Sequence, residues 1–406
     1  MVSPLRLAWS LDPDVSFLNH GSFGACPREV LAEQQLFRDR LEREPVRFFV
    51  RDYQELLDET RERLAAFLGA PSEELAFVTN ATTGCNTVLR SLTLAAGDEI
   101  VVTDHGYNAC RLAVDFVAER AGARVVVAKL PFPIAGPEVV EQALLAALTP
   151  RTRFVLIDHI TSPTGLILPV ERLVAALRQR GVFVMVDGAH APGMLPLDLA
   201  SLGADAYTGN AHKWLCAPKG AAFLHVRAEH HSWVRPLSIS HGASAPSDQR
   251  SRFLQEFDWC GTADPSPWLS IPKSLEFMGA LLPGGWTALR AQNRQRVLRG
   301  RQLLCDALGQ EPPAPAEMIG SLAAIPLPPG PPRVGCGQWT IDPLAERLWQ
   351  EQRIELPVSD WPSPQCRLLR LSAQVYNEAE EYERLAEMLP GMLADEAQLM
   401  ARERPQ

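Results

Sequence analysis

The chain has 406 residues, 46% hydrophobic and 21% charged, which excludes a disordered or fibrous protein and predicts a core large enough for more than one domain. Its 48 acidic and 39 basic side chains leave a formal charge of -9, a field that repels phosphate backbones and anionic lipid surfaces, so neither nucleic acid nor membrane is an expected partner. Asp12, Pro13 and Asp14 interrupt the region where a secretory signal needs an unbroken apolar run, no later run approaches a membrane span, and a cytoplasmic location is expected.

In chain order, Pro27–Leu68 reads as two helices, with Arg61, Glu62 and Arg63 expected on a solvated face. From Leu75 to Val226 short β-branched runs alternate with longer amphipathic stretches, the pattern of βα units in a mostly parallel sheet. Strands are expected at Leu75–Thr79, Glu99–Thr103, Arg124–Lys129, Phe154–Asp158, Val182–Asp187, Ala204–Thr208 and Ala221–Val226, covered by helices such as Val170–Arg180. Trp259–Pro272 is a Gly/Pro-rich passage, followed by helices around Lys273–Leu282 and Trp286–Leu308. Glu311–Pro332 is dense in proline and is expected to be a surface connection, and Glu378–Ala394 a last helix. The fold class is α/β, with a large domain over residues 15–265 and a smaller C-terminal α+β domain over residues 266–406, joined by segment 1–14.

The eight cysteines (Cys26, Cys85, Cys110, Cys216, Cys260, Cys305, Cys336 and Cys366) form no Cys-x-x-Cys pair and no zinc spacing, and are expected to be mostly reduced and structural. His230, His231 and His241 lack carboxylate or cysteine partners at matching spacing and read as a solvated loop, so no metal is expected. Positive charge is nearly all arginine; the lysines are Lys129, Lys213, Lys219 and Lys273. Lys219 reads as a turn residue, and Lys129 and Lys273 lie away from the strand ends that matter.

In parallel sheets, ligands sit beyond the carboxyl ends of the strands. One strand ends at Asp187, and the next runs into Gly209-Asn210-Ala211-His212-Lys213-Trp214, which places a carboxylate and an amine side by side. A solvated aspartate and a lysine resting on a tryptophan are the plain alternatives. Together, however, the pair suits pyridoxal phosphate, whose aldehyde forms a Schiff base with lysine while an aspartate keeps the pyridine nitrogen protonated. Asn80-Ala81-Thr82-Thr83-Gly84-Cys85-Asn86 leads straight into a helix, a cradle of backbone N–H groups and hydroxyls for the phosphate. After the second strand, His105 and Tyr107 both offer a ring to lie against the cofactor, and the sequence does not choose between them. Arg370, in an otherwise apolar run, suits the carboxylate of an amino-acid substrate; an internal ion pair would satisfy it equally well.

These segments resemble the class V aminotransferase family of fold-type I pyridoxal phosphate enzymes, and within it the isopenicillin N epimerase group. The resemblance rests on Leu18-Asn19-His20-Gly21-Ser22-Phe23-Gly24, Ser162-Pro163-Thr164-Gly165, Val186-Asp187-Gly188-Ala189-His190-Ala191-Pro192 and Gly209–Trp214, and extends to Leu371–Asn377. It implies that Lys213 carries the cofactor, that Asp187 partners the ring nitrogen, and that His190 lies near the ring hydroxyl. It also implies that Thr82, Thr83, Asn210 and His212 surround the phosphate, that Arg370 binds the substrate carboxylate, and that Asn19 and His20 line the substrate entrance. Gly261-Thr262 resembles a segment that reaches the other protomer's phosphate, so a homodimer with Thr262 crossing the interface is implied. Many relatives have asparagine beside the ring hydroxyl where this chain has Ser162. A mobile catalytic cysteine, as in cysteine desulfurases, is disfavoured, because Cys366 sits just before Arg370 in the short segment Trp361-Pro362-Ser363-Pro364-Gln365.

The activity implied is an epimerase or racemase acting at Cα of an amino acid or aminoacyl side chain. Lys213 would take the proton on one face, and Tyr107, His105 or a water would return it on the other. The alternative is a carbon–sulfur lyase that expels a group from Cβ. A non-catalytic cofactor-binding protein is a third reading, against which the retained Lys213 speaks.

Overall fold

The computed structural model describes residues 5–245, 250–333, 335, 340–364 and 366–403; Cys336 and Gln365 lie outside them. Strands are numbered in chain order, beginning with β1 (Ser16–Phe17). The largest sheet holds β2 (Leu75–Val78), β3 (Glu99–Thr103), β4 (Arg124–Ala128), β5 (Thr152–Asp158), β6 (Phe183–Asp187), β7 (Ala206–Asn210) and β8 (Ala222–Val226). Their order is β2-β8-β7-β6-β5-β3-β4, and only β8 runs against the rest. Helices cover this sheet, so every residue of β2, β3 and β8 is buried, which is why those strands read as continuous apolar runs rather than as alternating ones. The α/β architecture with a mostly parallel seven-stranded sheet is the one expected.

Two smaller sheets complete the chain. β1 pairs in parallel with β10 (Ile354–Glu355). β9 (Leu322–Leu327), β11 (Val358–Asp360) and β12 (Arg367–Ser372) form an antiparallel sheet in the order β11-β12-β9. One apolar cluster runs from Val184 and Leu173 behind the large sheet to Ile325, Leu344 and Leu369 at the small one.

Several expectations are corrected. β7 is Ala206–Asn210, two residues later than expected. The Asp205 carboxylate accepts Val184 N–H at 2.8 Å and keeps that end out of the ladder, while Gly209 and Asn210 pair with Phe223 and Ala222. Glu311–Pro332 is not purely a surface connection, since it contains the buried β9; an edge strand paired only with β12 tolerates Pro326. Arg61 is buried rather than solvated, because Asp58 and the distant Asp258 both pair with its guanidinium and Leu75 O accepts from its Nε at 3.0 Å. The last helix spans Ala379–Glu403 and runs through Pro390. His230 and His231 are partly buried rather than freely solvated: His230 bonds Asp205 at 3.0 Å, and His231 donates to Val226 O at 2.7 Å while stacking on Phe253.

Candidate active site

The carboxyl ends of β3, β5, β6 and β7 open onto a cavity of about 870 Å³. Lys213 follows β7, where the chain leaves the ladder and turns, and its side chain lies against His190 with Nζ 3.1 Å from Nε2. Trp214 Nε1–H donates to His190 Nδ1 at 3.3 Å. The neutral imidazole therefore carries its proton on Nε2 and presents it to the Lys213 nitrogen. Burial, with help from Arg370, lowers the Lys213 amine to about 7, and burial pushes His190 well down, so the imidazole stays neutral and the amine gives up its proton readily near neutral pH. A neutral amine is the nucleophilic form.

The backbone beneath this lysine is fixed. His20 is fully buried, its Nε2–H donating to Lys213 O at 3.0 Å while Nδ1 accepts from Tyr376 OH at 2.7 Å. Burial lowers His20 to about 3, which keeps that single neutral arrangement. Gly24 has φ +71°, and a Cβ there would meet His212 O at 2.2 Å, so glycine lets the opening loop lie directly on the lysine loop. His20 thus supports Lys213 from below rather than lining an entrance. Asn19, bonded to Glu355 and Ser22, also stands behind the wall.

Asp187 ends β6, next to β7, and its Oδ1 accepts Ala189 N–H at 3.0 Å. Asp158 ends β5 in direct register with Asp187, so two carboxyl groups share one edge of the cavity. Burial and the Asp187 charge push Asp158 well above the usual carboxylate range. Sequence reasoning missed Asp158, although the inspection of strand ends that found Asp187 applies equally to it.

The cradle takes shape on the Ala81–Ser91 helix. Asn80 caps it, its Oδ1 accepting Thr83 N–H at 2.8 Å, and Asn210 Oδ1 accepts Ala81 N–H at 2.8 Å, which pins the helix N-terminus to the end of β7. Thr82, Thr83, Asn210 and His212 all line the cavity here. A Cβ on Gly84 would meet Thr208 Oγ1 at 2.2 Å, so glycine allows the helix to sit this close to the strand. Thr262 is elsewhere, in an adjoining apolar hollow of about 330 Å³ walled by Phe49, Trp259 and Trp268, which shares Thr79 and Thr83 with the cavity.

Tyr107 faces the cavity and His105 does not. Both nitrogens of buried His105 are occupied: Nε2–H donates to Leu130 O at 3.2 Å, and Nδ1 accepts from Thr164 at 2.8 Å. Tyr107 is half-exposed, and burial of its remainder raises the phenol above its usual value, so it keeps its proton. Arg370 lies behind Ser22 and Ser162, which both line the cavity; Nη2 donates to Ser22 Oγ at 3.0 Å, and Nη1 to Ser162 O at 2.6 Å and Oγ at 3.1 Å. Its buried Nε finds no partner, and burial lowers the guanidinium to about 10. The internal ion pair that would have explained Arg370 is absent among the described residues.

An amine that deprotonates near neutral pH, a buried carboxylate, a capped helix N-terminus and an arginine lacking an anion fit one guest: an aldehyde carrying a basic ring and a phosphate, together with a carboxylate-bearing substrate. The class-V aminotransferase family model matches residues 25–284, and the chain belongs to this family. Its cofactor is pyridoxal 5'-phosphate. Within the family, the chain is 41% identical over 394 residues to an isopenicillin N epimerase of Amycolatopsis lactamdurans, covering 94% of this chain and 96% of that one. It is 32% identical over 408 residues to a probable chloroplastic L-cysteine desulfhydrase of Arabidopsis thaliana, covering 95% and 84%. Among solved structures, the cystine C–S lyase C-DES with cysteine persulfide superposes with a TM-score of 0.75 at 24% identity over 93% of this chain and 97% of that one. No helix among the described residues is long and apolar enough to cross a membrane.

Proposed function

We propose that the protein inverts the configuration at Cα of an amino acid or aminoacyl side chain, as an epimerase of the isopenicillin N epimerase kind. The observation that carries this reading is the pair of proton carriers at opposite ends of the cavity, Lys213 after β7 and Tyr107 after β3, with β5 and β6 between them. When bound, pyridoxal phosphate supplies an electrophilic aldehyde and a cationic ring that draws electrons from Cα. Lys213 would hold its aldehyde and Asp187 its ring nitrogen; His190 and Ser162 would lie near the ring hydroxyl, Tyr107 against the ring, and Thr82, Thr83, Asn210 and His212 around the phosphate. Arg370 clamps the substrate carboxylate and so fixes which bond at Cα faces the lysine. Lys213 Nζ, neutral once free, accepts the Cα proton, and the Tyr107 hydroxyl, exposed enough to be reloaded from water, delivers one to the opposite face.

The carbon–sulfur lyase reading draws on the desulfhydrase relatives and uses the same residues up to proton removal. Persulfide chemistry on this chain's own cysteine is disfavoured, because Cys366 is tied into a hairpin by Cys366 N–H to Ser363 O at 2.9 Å and Trp361 N–H to Cys366 O at 2.9 Å. We also propose a homodimer in which Thr262 reaches the partner's cofactor site. Supporting this, apolar Phe23 and Leu237 stand exposed on the walls of the cavity and the hollow, and exposed Val46 and Val50 flank Phe49 of the hollow.

The test is a screen of amino acids, peptides and cysteine conjugates in deuterated water. Exchange of Cα hydrogen with inversion, lost in Lys213→Ala, supports epimerisation. Release of pyruvate and ammonia without inversion replaces it with the lyase, and no spectral response to any amine would leave a non-catalytic protein.

A further inference from the structure

Sulfur holds the carboxylate at the centre of this site. Asp187 Oδ2 lies 3.2 Å from Cys110 Sγ and 3.8 Å from Cys85 Sγ, and all three donor atoms fall within 4.8 Å of one another. Among the described residues these thiols are the side-chain donors to that carboxylate, while Ala189 N–H serves the other oxygen. The thiols come from two helices: Cys85 from Ala81–Ser91, which begins at the phosphate cradle, and Cys110 from Asn108–Ala121, which begins just after Tyr107. Both are buried in an apolar cluster with Val88, Val114 and Met185. Cys85 alongside and burial together push the Cys110 thiol well up; Cys85 rises to about 11, pulled down by its bond with Cys110 but raised more by burial and the Asp187 charge. Both therefore remain S–H groups, able to donate and carrying no charge of their own. Asp158, Tyr107, Lys213 and Tyr207 complete the titratable surroundings of Asp187.

We propose that Cys110, backed by Cys85, is a positioning residue: its thiol aims Asp187 Oδ2 and leaves enough of the carboxylate's charge uncompensated for the protonated ring nitrogen to become its principal partner. This rests on the reading of Asp187 as the ring-nitrogen anchor. An arginine or lysine in the same place would neutralise the carboxylate, and an alkyl group would leave Oδ2 without a donor, its aim set by the Ala189 N–H on Oδ1 alone. A thiol, a weak donor, does neither. The N-terminal end of the Asn108–Ala121 helix then joins two duties, with its N-cap Tyr107 facing the cavity and Cys110 in the first turn fixing the anchor below it.

The experiment compares, on apoprotein, the dissociation constants of pyridoxal 5'-phosphate and of its 1-deaza analogue, which lacks the ring nitrogen. Wild type should prefer the natural cofactor. Cys110→Ala should reduce that preference about 3- to 10-fold, and Cys110→Ser should restore it to within about 2-fold, in line with the loss and return of one weak hydrogen bond of about 1 kcal/mol. Cys85→Ala, at the longer distance, should change it less. A purely packing role predicts the reverse order, since a hydroxyl in an apolar pocket is worse tolerated than a methyl, and weakens both ligands equally. Should Cys110→Ala fail to fold, Cys110→Val fills the volume without a donor and takes its place. An unchanged preference in the donor-free variant, or a serine variant that falls with it, overturns the proposal. A wild type that does not discriminate the two ligands overturns instead the anchor reading on which it rests.

Discussion

Strand β12 carries two buried arginines that face opposite ways and live in opposite electrostatic conditions. Arg367 is held by Asp342 at 2.6 Å and Glu396 at 3.0 Å, inside a closed ion-pair network between the small sheet and its helices. Arg370, three residues along the same strand and so on the other face, has hydroxyl and carbonyl partners, one unpartnered nitrogen, and no carboxylate among the described residues. The apolar run singles out Arg370 in the sequence but does not reveal which of the two has a counter-ion. Arg367, with both counter-ions in place, belongs to the fold, and the missing counter-ion is the physical ground for the proposal that Arg370 receives a ligand's carboxylate.

Removing Arg367 should have the largest effect on stability. Arg367→Met leaves Asp342 and Glu396 buried without a cation, and a broken buried pair costs about 3–5 kcal/mol. Denaturant unfolding of the loaded protein should show that loss, with the KM for substrate unchanged. A stable Arg367→Met protein would mean that the network is ornamental.

Lys213 extends the comparison to an amine. Its folded value, about 7, lies below the ordinary lysine value of 10.5, so between those limits the unfolded chain binds a proton that the folded chain does not. Apoprotein stability should therefore rise with pH from about 7 to about 10. Lys213→Met should stabilise the apoprotein near pH 7 by up to roughly 4 kcal/mol, an advantage that shrinks as pH approaches 10. Thermal melts of both apoproteins across that range check it; a gap independent of pH would show that the burial of a neutral amine is not its source.

Arg370→Met should act on binding instead. Losing a charge-assisted clamp worth about 1.5–3 kcal/mol raises the KM for a carboxylate substrate about 10- to 100-fold, while apoprotein stability holds or improves because an unpaired buried cation has gone. A stability loss matching that of Arg367→Met would erase the contrast between the two.

What could be read from sequence follows the same division. Asp187, Lys213 and Thr82–Thr83 were legible because a parallel sheet delivers all its strand ends to one edge, so local position along the chain already implies proximity. Asp158 ends the neighbouring strand in register with Asp187 and is equally placed, but no motif in the sequence sets it apart from an ordinary strand-end aspartate. Asn19 and His20 drew attention through their motif, but their task depends on Glu355, Tyr376 and the Lys213 carbonyl, partners that only tertiary folding supplies. Arg61 looked like surface for the same reason: Asp258, which buries it, lies 197 residues away. That Tyr107 lines the cavity while His105 does not follows from Thr164 and Leu130 occupying both imidazole nitrogens, which no periodicity encodes.

Ser162 gives the smallest and most discriminating effect. Its carbonyl and hydroxyl both accept from Arg370 Nη1, so the side chain where many relatives have asparagine is here bound to the arginine. Ser162→Ala keeps the carbonyl and removes one neutral acceptor from a cation that retains two others. The expected loss is about 1 kcal/mol, a KM increase of roughly 5-fold with kcat unchanged. A drop in kcat with KM held would instead place the hydroxyl on the reacting centre, where it would serve the ring hydroxyl rather than the clamp. Arg370 would then keep its uncompensated charge without Ser162, and the contrast with Arg367 would rest on Ser22 and backbone alone.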